Sequence, residues 1–178
     1  TRGVLGPDDA ARLLHPVAES IASIHAAAGV HGAISPAAIQ VDASGRALLL
    51  DRTQVAPDPA YDAGDPPLGR RPDPASDVWA LAGVLLFATT GQPPQFGEGV
   101  PRDIGWLGPI TELALRPHPR ERPTMAEVAD YLRAPFADAS DQPPEAERRR
   151  RLAIFLAGAA AIVAFALIGA ALLLTGGD

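Results

Sequence analysis

The 178-residue chain has no cysteine, which excludes disulfides and thiolate metal sites and agrees with a reducing compartment. It has no lysine either. All 15 Lys-or-Arg positions are arginine, so no step of any reaction here uses a lysine ammonium. Histidine is sparse, and His15, His25, His31 and His118 are scattered, which reads as structural use rather than metal ligation. A net charge of −6, with its densest basic run at one point near the C-terminus, leaves no basic face for nucleic acid. The first residue is threonine, so the expectation is a fragment or the end of a larger protein.

One long apolar run stands out. Residues 152–174 carry no charge and no amide. At ~1.5 Å per residue such a helix crosses a hydrocarbon core of ~30 Å, so a single transmembrane helix is predicted there. Arg148, Arg149, Arg150 and Arg151 precede it, and only residues 175–178 come after it. The positive-inside rule then places the soluble part in the cytoplasm, with the four arginines against anionic lipid headgroups. The small residues Ala157, Gly158, Ala161 and Gly169 offer a face for a helix partner within the membrane. The expected organisation is a soluble domain over 1–134, a juxtamembrane linker over 135–151, the span over 152–174 and a short extracytoplasmic tail.

Within the soluble part, residues 8–28 carry apolar side chains at helical spacing (Leu13, Leu14, Val17, Ile21, Ile24). Pro7 and two aspartates suit the start of that helix, and Gly29 sits where a C-cap belongs. Runs at 38–41 and 47–50, separated by Asp42-Ala-Ser-Gly-Arg46, predict a β-hairpin. Residues 52–74 have no period and read as a loop. From Ala75 to Gly91 the chain is apolar on nearly all sides, which predicts a buried central helix capped by Ser76 or Asp77. Residues 104–115 and 124–133 read as two amphipathic helices, the second opened by a Thr124/Glu127 capping box.

The motifs at these junctions occur in the order of one family. Ser23-Ile-His25-Ala-Ala-Ala-Gly29-Val-His31 leads into His31-Gly-Ala-Ile-Ser-Pro36-Ala-Ala-Ile39, then Leu48-Leu-Leu-Asp51-Arg-Thr, Tyr61-Asp-Ala-Gly-Asp65, Asp77-Val-Trp-Ala-Leu-Ala-Gly83 and Arg116-Pro-His-Pro-Arg-Glu-Arg122-Pro123. Over residues 8–132 the chain resembles the large, C-terminal lobe of a Ser/Thr protein kinase, in its bacterial receptor-like form. The resemblance implies a mainly α fold with one short β-hairpin, and a catalytic loop beginning at His31. It also implies that Asp77 hydrogen-bonds the backbone of that loop and that Arg122 pairs with a carboxylate, here Asp65.

The chemical positions depart from the pattern. Ala33 stands for the catalytic aspartate, Ser35 for the lysine, Ala38 for the metal-binding asparagine and Gly32 for the arginine that would read a phosphorylated loop. Asp51 remains at the metal-binding position, but one carboxylate does not make a Mg²⁺ site. Thr53 and Tyr61 remain as residues open to modification. The small lobe that would hold ATP is absent from this sequence, so ATP and Mg²⁺ are expected only if that lobe lies upstream, and no other cofactor is expected. These departures imply a membrane-anchored pseudokinase acting as a scaffold or regulatory partner of a cytoplasmic signalling protein, such as a phosphothreonine reader. Two alternatives stay open: an ATP-dependent transferase that uses an upstream lobe and Asp51, or the tail of a larger membrane protein such as the pseudokinase-bearing fusions that resemble lipid II flippases.

Overall fold

A computed structural model describes residues 4–64, 73–95 and 99–136, with Arg102 and Asp103 described by backbone alone. The chain divides into two units, Thr1–Phe136 and Ala137–Asp178. The predicted span at 152–174, its four flanking arginines and Asp65 lie outside the described residues. Among the described residues no helix is long and apolar enough to cross a membrane. The first unit is mainly helical with one two-stranded hairpin.

Helix α1 (Pro7–Ala26) starts at Pro7, whose missing N–H costs nothing at a helix start, and carries Asp8 and Asp9 in its first turn. It buries Ala10, Ala11, Leu14, Val17, Ala18 and Ile21, one continuous stripe. Its end differs from expectation. The left-handed residue is Ala28 (φ 57°), one position before Gly29. The Gly29 N–H reaches the Ile24 carbonyl (2.9 Å) and the Ala28 N–H the His25 carbonyl (2.9 Å), the two bonds of a Schellman motif. Glycine serves at 29 for space, since a Cβ there would lie 3.0 Å from Ile24 Cγ2 and 3.1 Å from the Ile24 carbonyl oxygen. An alanine held at positive φ stores ~1–2 kcal/mol, partly offset in a glycine variant by unfolded-chain entropy. Ala28→Gly is therefore expected to stabilise the unit by about 0.5–1 kcal/mol in urea melts.

The hairpin pairs β1 (Ile39–Val41) with β2 (Ala47–Leu49) in the register Ile39↔Leu49, Gln40↔Leu48, Val41↔Ala47. Its turn is closed by Asp42, whose Oδ1 accepts from the Ser44 N–H (2.8 Å), the Ser44 hydroxyl (2.6 Å) and the Arg46 N–H (3.0 Å). Gly45 supplies the positive φ of 84° that the turn requires.

Helix α2 (Pro74–Thr90) is the axis of the unit, with ten consecutive buried residues from Asp77 to Leu86. Its N-cap is Asp73 rather than Ser76 or Asp77. The Asp73 carboxylate accepts from the Ser76 N–H, and Pro74 takes the first helical position. Gly91, at φ 74°, closes the other end. At Gly83 a Cβ would sit 2.7 Å from Pro94 Cγ and 3.2 Å from Tyr61 Cδ1, so this glycine lets both segments approach the helix axis.

The expected helix over 104–115 is broken. Gly105 (φ 62°, ψ −136°) interrupts a 3-10 stretch, Arg102–Leu107, before α3 (Gly108–Ala114) begins with Pro109 in its first turn. Apolar periodicity continues across this break, so the pattern alone does not reveal it. Helix α4 (Met125–Arg133) opens with the expected capping box: the Thr124 hydroxyl accepts from the Glu127 N–H, and the Thr124 N–H donates to Glu127 Oε2 (2.7 Å). Helices α1, α3 and α4 pack around α2. Leu14, Ile21, Leu81, Leu107, Met125 and Leu132 form the fully buried centre.

Candidate functional site: the His31 loop and its Asp77 anchor

The loop from His31 to Ala38 lies between the end of α1 and β1, where it meets the first turns of α2. Asp77 is 1% exposed and receives three hydrogen bonds from two segments distant in sequence. The His31 N–H donates to Oδ2 (2.8 Å), the Gly32 N–H to Oδ1 (2.8 Å) and the His25 Nε2–H to Oδ2 (2.9 Å). A buried carboxylate is tolerable because its lone pairs are met by donors with good geometry. Gly32 adopts φ 69°, so the backbone turns there at no Cβ cost and both amides face the carboxylate.

His31, 4% exposed, ties the loop to the residue that follows β2. Its Nε2–H donates to the Leu50 carbonyl (2.8 Å), and that bond fixes Nδ1 as the acceptor for the Ala33 N–H (3.3 Å). Both ring nitrogens are committed, which leaves His31 no free lone pair for proton abstraction. Ala33 and Ala38 are buried at 7% and 0%. Ser35 is also buried, and its hydroxyl has no hydrogen-bond partner.

Asp51 comes just after β2 and is exposed. Its Oδ1 accepts from the Thr53 hydroxyl (2.6 Å) and the Thr53 N–H (2.8 Å), while Gln54 Oε1 accepts from the Asp51 N–H (3.0 Å). The residue caps the short 3-10 turn Arg52–Gln54. The Thr53 hydroxyl, then the Thr53 amide, hold its carboxyl below the usual aspartate range, with smaller help from Arg52. Asp42 is lowered in the same way, chiefly by the Ser44 hydroxyl. Because both folded-state values are depressed, the contribution of these turns is present above the unfolded value of about 4 and is lost as pH falls through the folded values. NMR titration of the Thr53 and Ser44 amides is expected to give midpoints below about 4.

Tyr61, one of the two residues left open to modification, is 7% exposed against α2, and burial, with Asp58 adding to it, pushes its phenol up to about 12. Thr53 is exposed, but its hydroxyl is engaged by Asp51.

Arg122 is 8% exposed, not a solvated surface charge. Its Nε donates to the Arg116 carbonyl (2.7 Å), Nη1 to the Ala75 carbonyl (3.1 Å) and Nη2 to the Pro117 carbonyl (3.1 Å). The guanidinium thereby joins the first turn of α2 to the 116–117 turn. Its expected partner Asp65 lies outside the described residues. The contact that His25 makes with Asp77 is what sequence reasoning misses: the pattern marks His25 as a structural histidine, and its partner lies 52 positions away. The signal that could have found it is the place of His25 in the last turn of α1, directly before the motif loop.

Among the described residues, no three His, Asp or Glu side chains gather as a metal site. At the loop Ala33 and Ala38 carry no ligand atom, and Asp51 uses Oδ1 in its turn, with Oδ2 in none of the hydrogen bonds described.

The chain is 29% identical over 170 residues to a probable serine/threonine-protein kinase PkwA of Thermomonospora curvata. This similarity supports a kinase-like relationship. It covers 80% of this chain and 23% of that protein, so the chain spans about a quarter of the relative it matches. No family model matches the chain.

Proposed function

We propose that this is a membrane-anchored kinase-like protein whose catalytic loop is silent in phosphoryl transfer and whose folded unit serves as a binding scaffold. The observation that carries the proposal is the contrast between the two halves of the His31 loop. Its structural half is intact, with Asp77 gripping two loop amides and His31 gripping Leu50. Its chemical half holds Ala33, Ser35 and Ala38, with neither base, cation nor metal ligand. A positioned general base alone is worth ~10²–10⁴ in rate, and alanine offers none. The apolar run at 152–174 and its arginine flank support the anchor. The partner proposed is a cytoplasmic signalling protein that reads phosphothreonine.

Full-length protein phosphorylated by a cognate kinase and held in vesicles should retain a forkhead-associated domain, and phosphatase treatment should release it. Equal retention before and after phosphatase counts against this partner class. Sodium carbonate extraction should leave the chain in the membrane fraction, and deletion of 152–174 should release it. A full-length chain that washes off with carbonate is not anchored by this run.

A further inference from the structure

We infer that residues 134–136 form a strap that closes over Trp106 and opens without unfolding the helical core. This inference stands apart from the silent-loop proposal. After α4, a 3-10 turn, Ala134–Phe136, carries Phe136 back over the unit. The Phe136 ring meets Trp106 edge-on, with centroids 6.5 Å apart and planes at 66°. The Arg12 guanidinium lies 4.4 Å from the centroid of the same ring, so Phe136 is held between an arginine of α1 and the indole. Trp106 is itself braced. Its indole N–H donates to Asp8 Oδ1 (2.8 Å), its carbonyl accepts from the Tyr131 hydroxyl (2.7 Å), and its ring tilts against that of Tyr131 at 5.8 Å.

Two features make the strap separable. The helices beneath it are pinned independently, α1 by Ala10, Ala11 and Leu14 and α4 by Val128, Ala129 and Leu132, all buried. Ala134 is tied to the end of α4 by its backbone N–H, which meets the Asp130 and Tyr131 carbonyls, but beyond it the strap rests on one layer of contacts: Pro135 and Arg12 are exposed, and Phe136 is half-buried. A segment with few buried contacts and an anchored platform opens with a much larger population than the whole unit unfolds. The strap is the last described segment of the first unit. Its opening uncovers Trp106.

The two tryptophans give the test, since Trp79 is 3% exposed in α2 and reports the core. The full chain in detergent micelles, labelled with 5-fluorotryptophan, is titrated with urea and monitored by ¹⁹F NMR. The Trp106 resonance is expected to move to its solvent-exposed position at lower urea than that at which the native Trp79 resonance disappears. Phe136→Ala is expected to produce the exposed Trp106 shift without denaturant and leave Trp79 in place. Coincident loss of both resonances in the parent chain overturns the inference, as does a Phe136→Ala chain in which both resonances move or neither does.

Discussion

Asp77→Ala is expected to destabilise the first unit by about 3–5 kcal/mol, a large share of the ~5–15 kcal/mol that holds a domain of this size. The cost comes from the donors left behind. The His31 N–H is buried and the Gly32 N–H partly so, and each loses its carboxylate acceptor. An unsatisfied buried donor costs ~1–3 kcal/mol, and the His25 ring loses its partner as well. Asp77→Asn keeps the shape and one acceptor oxygen but turns an NH₂ toward the remaining donors, so a loss of about 2 kcal/mol is expected. Urea melts read by far-UV circular dichroism measure both. A loss under about 1 kcal/mol in the alanine variant, below the cost of even one orphaned donor, would show that the loop does not depend on this carboxylate.

Arg122→Ala is expected to cost about 2–4 kcal/mol by the same logic. One planar fork satisfies three carbonyls, those of Ala75, Arg116 and Pro117, from a side chain 8% exposed. Arg122→Lys should recover less than half of the loss. An ammonium is a compact charge on a flexible stem and cannot place three N–H groups at the divergent positions a guanidinium holds. Full rescue by lysine would mean that charge, not the fork, matters at this joint.

Several elements are legible in the sequence because their signals are local. The stripe of α1, the Thr124/Glu127 box and the all-round apolar character of α2 each arise from residues within a few positions of one another. The hairpin is legible from its Asp42–Arg46 turn. Where local signals compete, expectation and structure part. Ser76 and Asp77 are both good cap residues, but Pro74 favours the first helical position and moves the cap to Asp73. Gly105 looks like a tolerated glycine in a helical pattern, whereas its φ of 62° ends one helix and begins another. At the end of α1 the nearby glycine suggests the cap, although the left-handed residue is Ala28.

At the site, the role of Asp77 comes from the family resemblance rather than from any period, and the bonds to His31 and Gly32 give that expectation a geometry. The His25 contact is not legible, because sequence spacing does not report which residues meet across 52 positions. The burial of Arg122 is equally hidden: three of its hydrogen bonds go to the backbone carbonyls of Ala75, Arg116 and Pro117, which carry no sequence signal. Asp51 illustrates a different limit. The same carboxylate that resembles a metal ligand in sequence also caps a turn, through Thr53 and Gln54, and the motif does not announce that use.

If the loop keeps its scaffold but has lost its chemistry, a phosphoryl-transfer assay on the full-length polypeptide exposes the loss, using radiolabelled ATP, Mg²⁺ or Mn²⁺ and a generic protein substrate. No transfer above that of an Asp51→Ala variant is expected, whether or not nucleotide binds. Metal-dependent transfer that disappears on Asp51→Ala would contradict the silent loop and make Asp51 a working ligand.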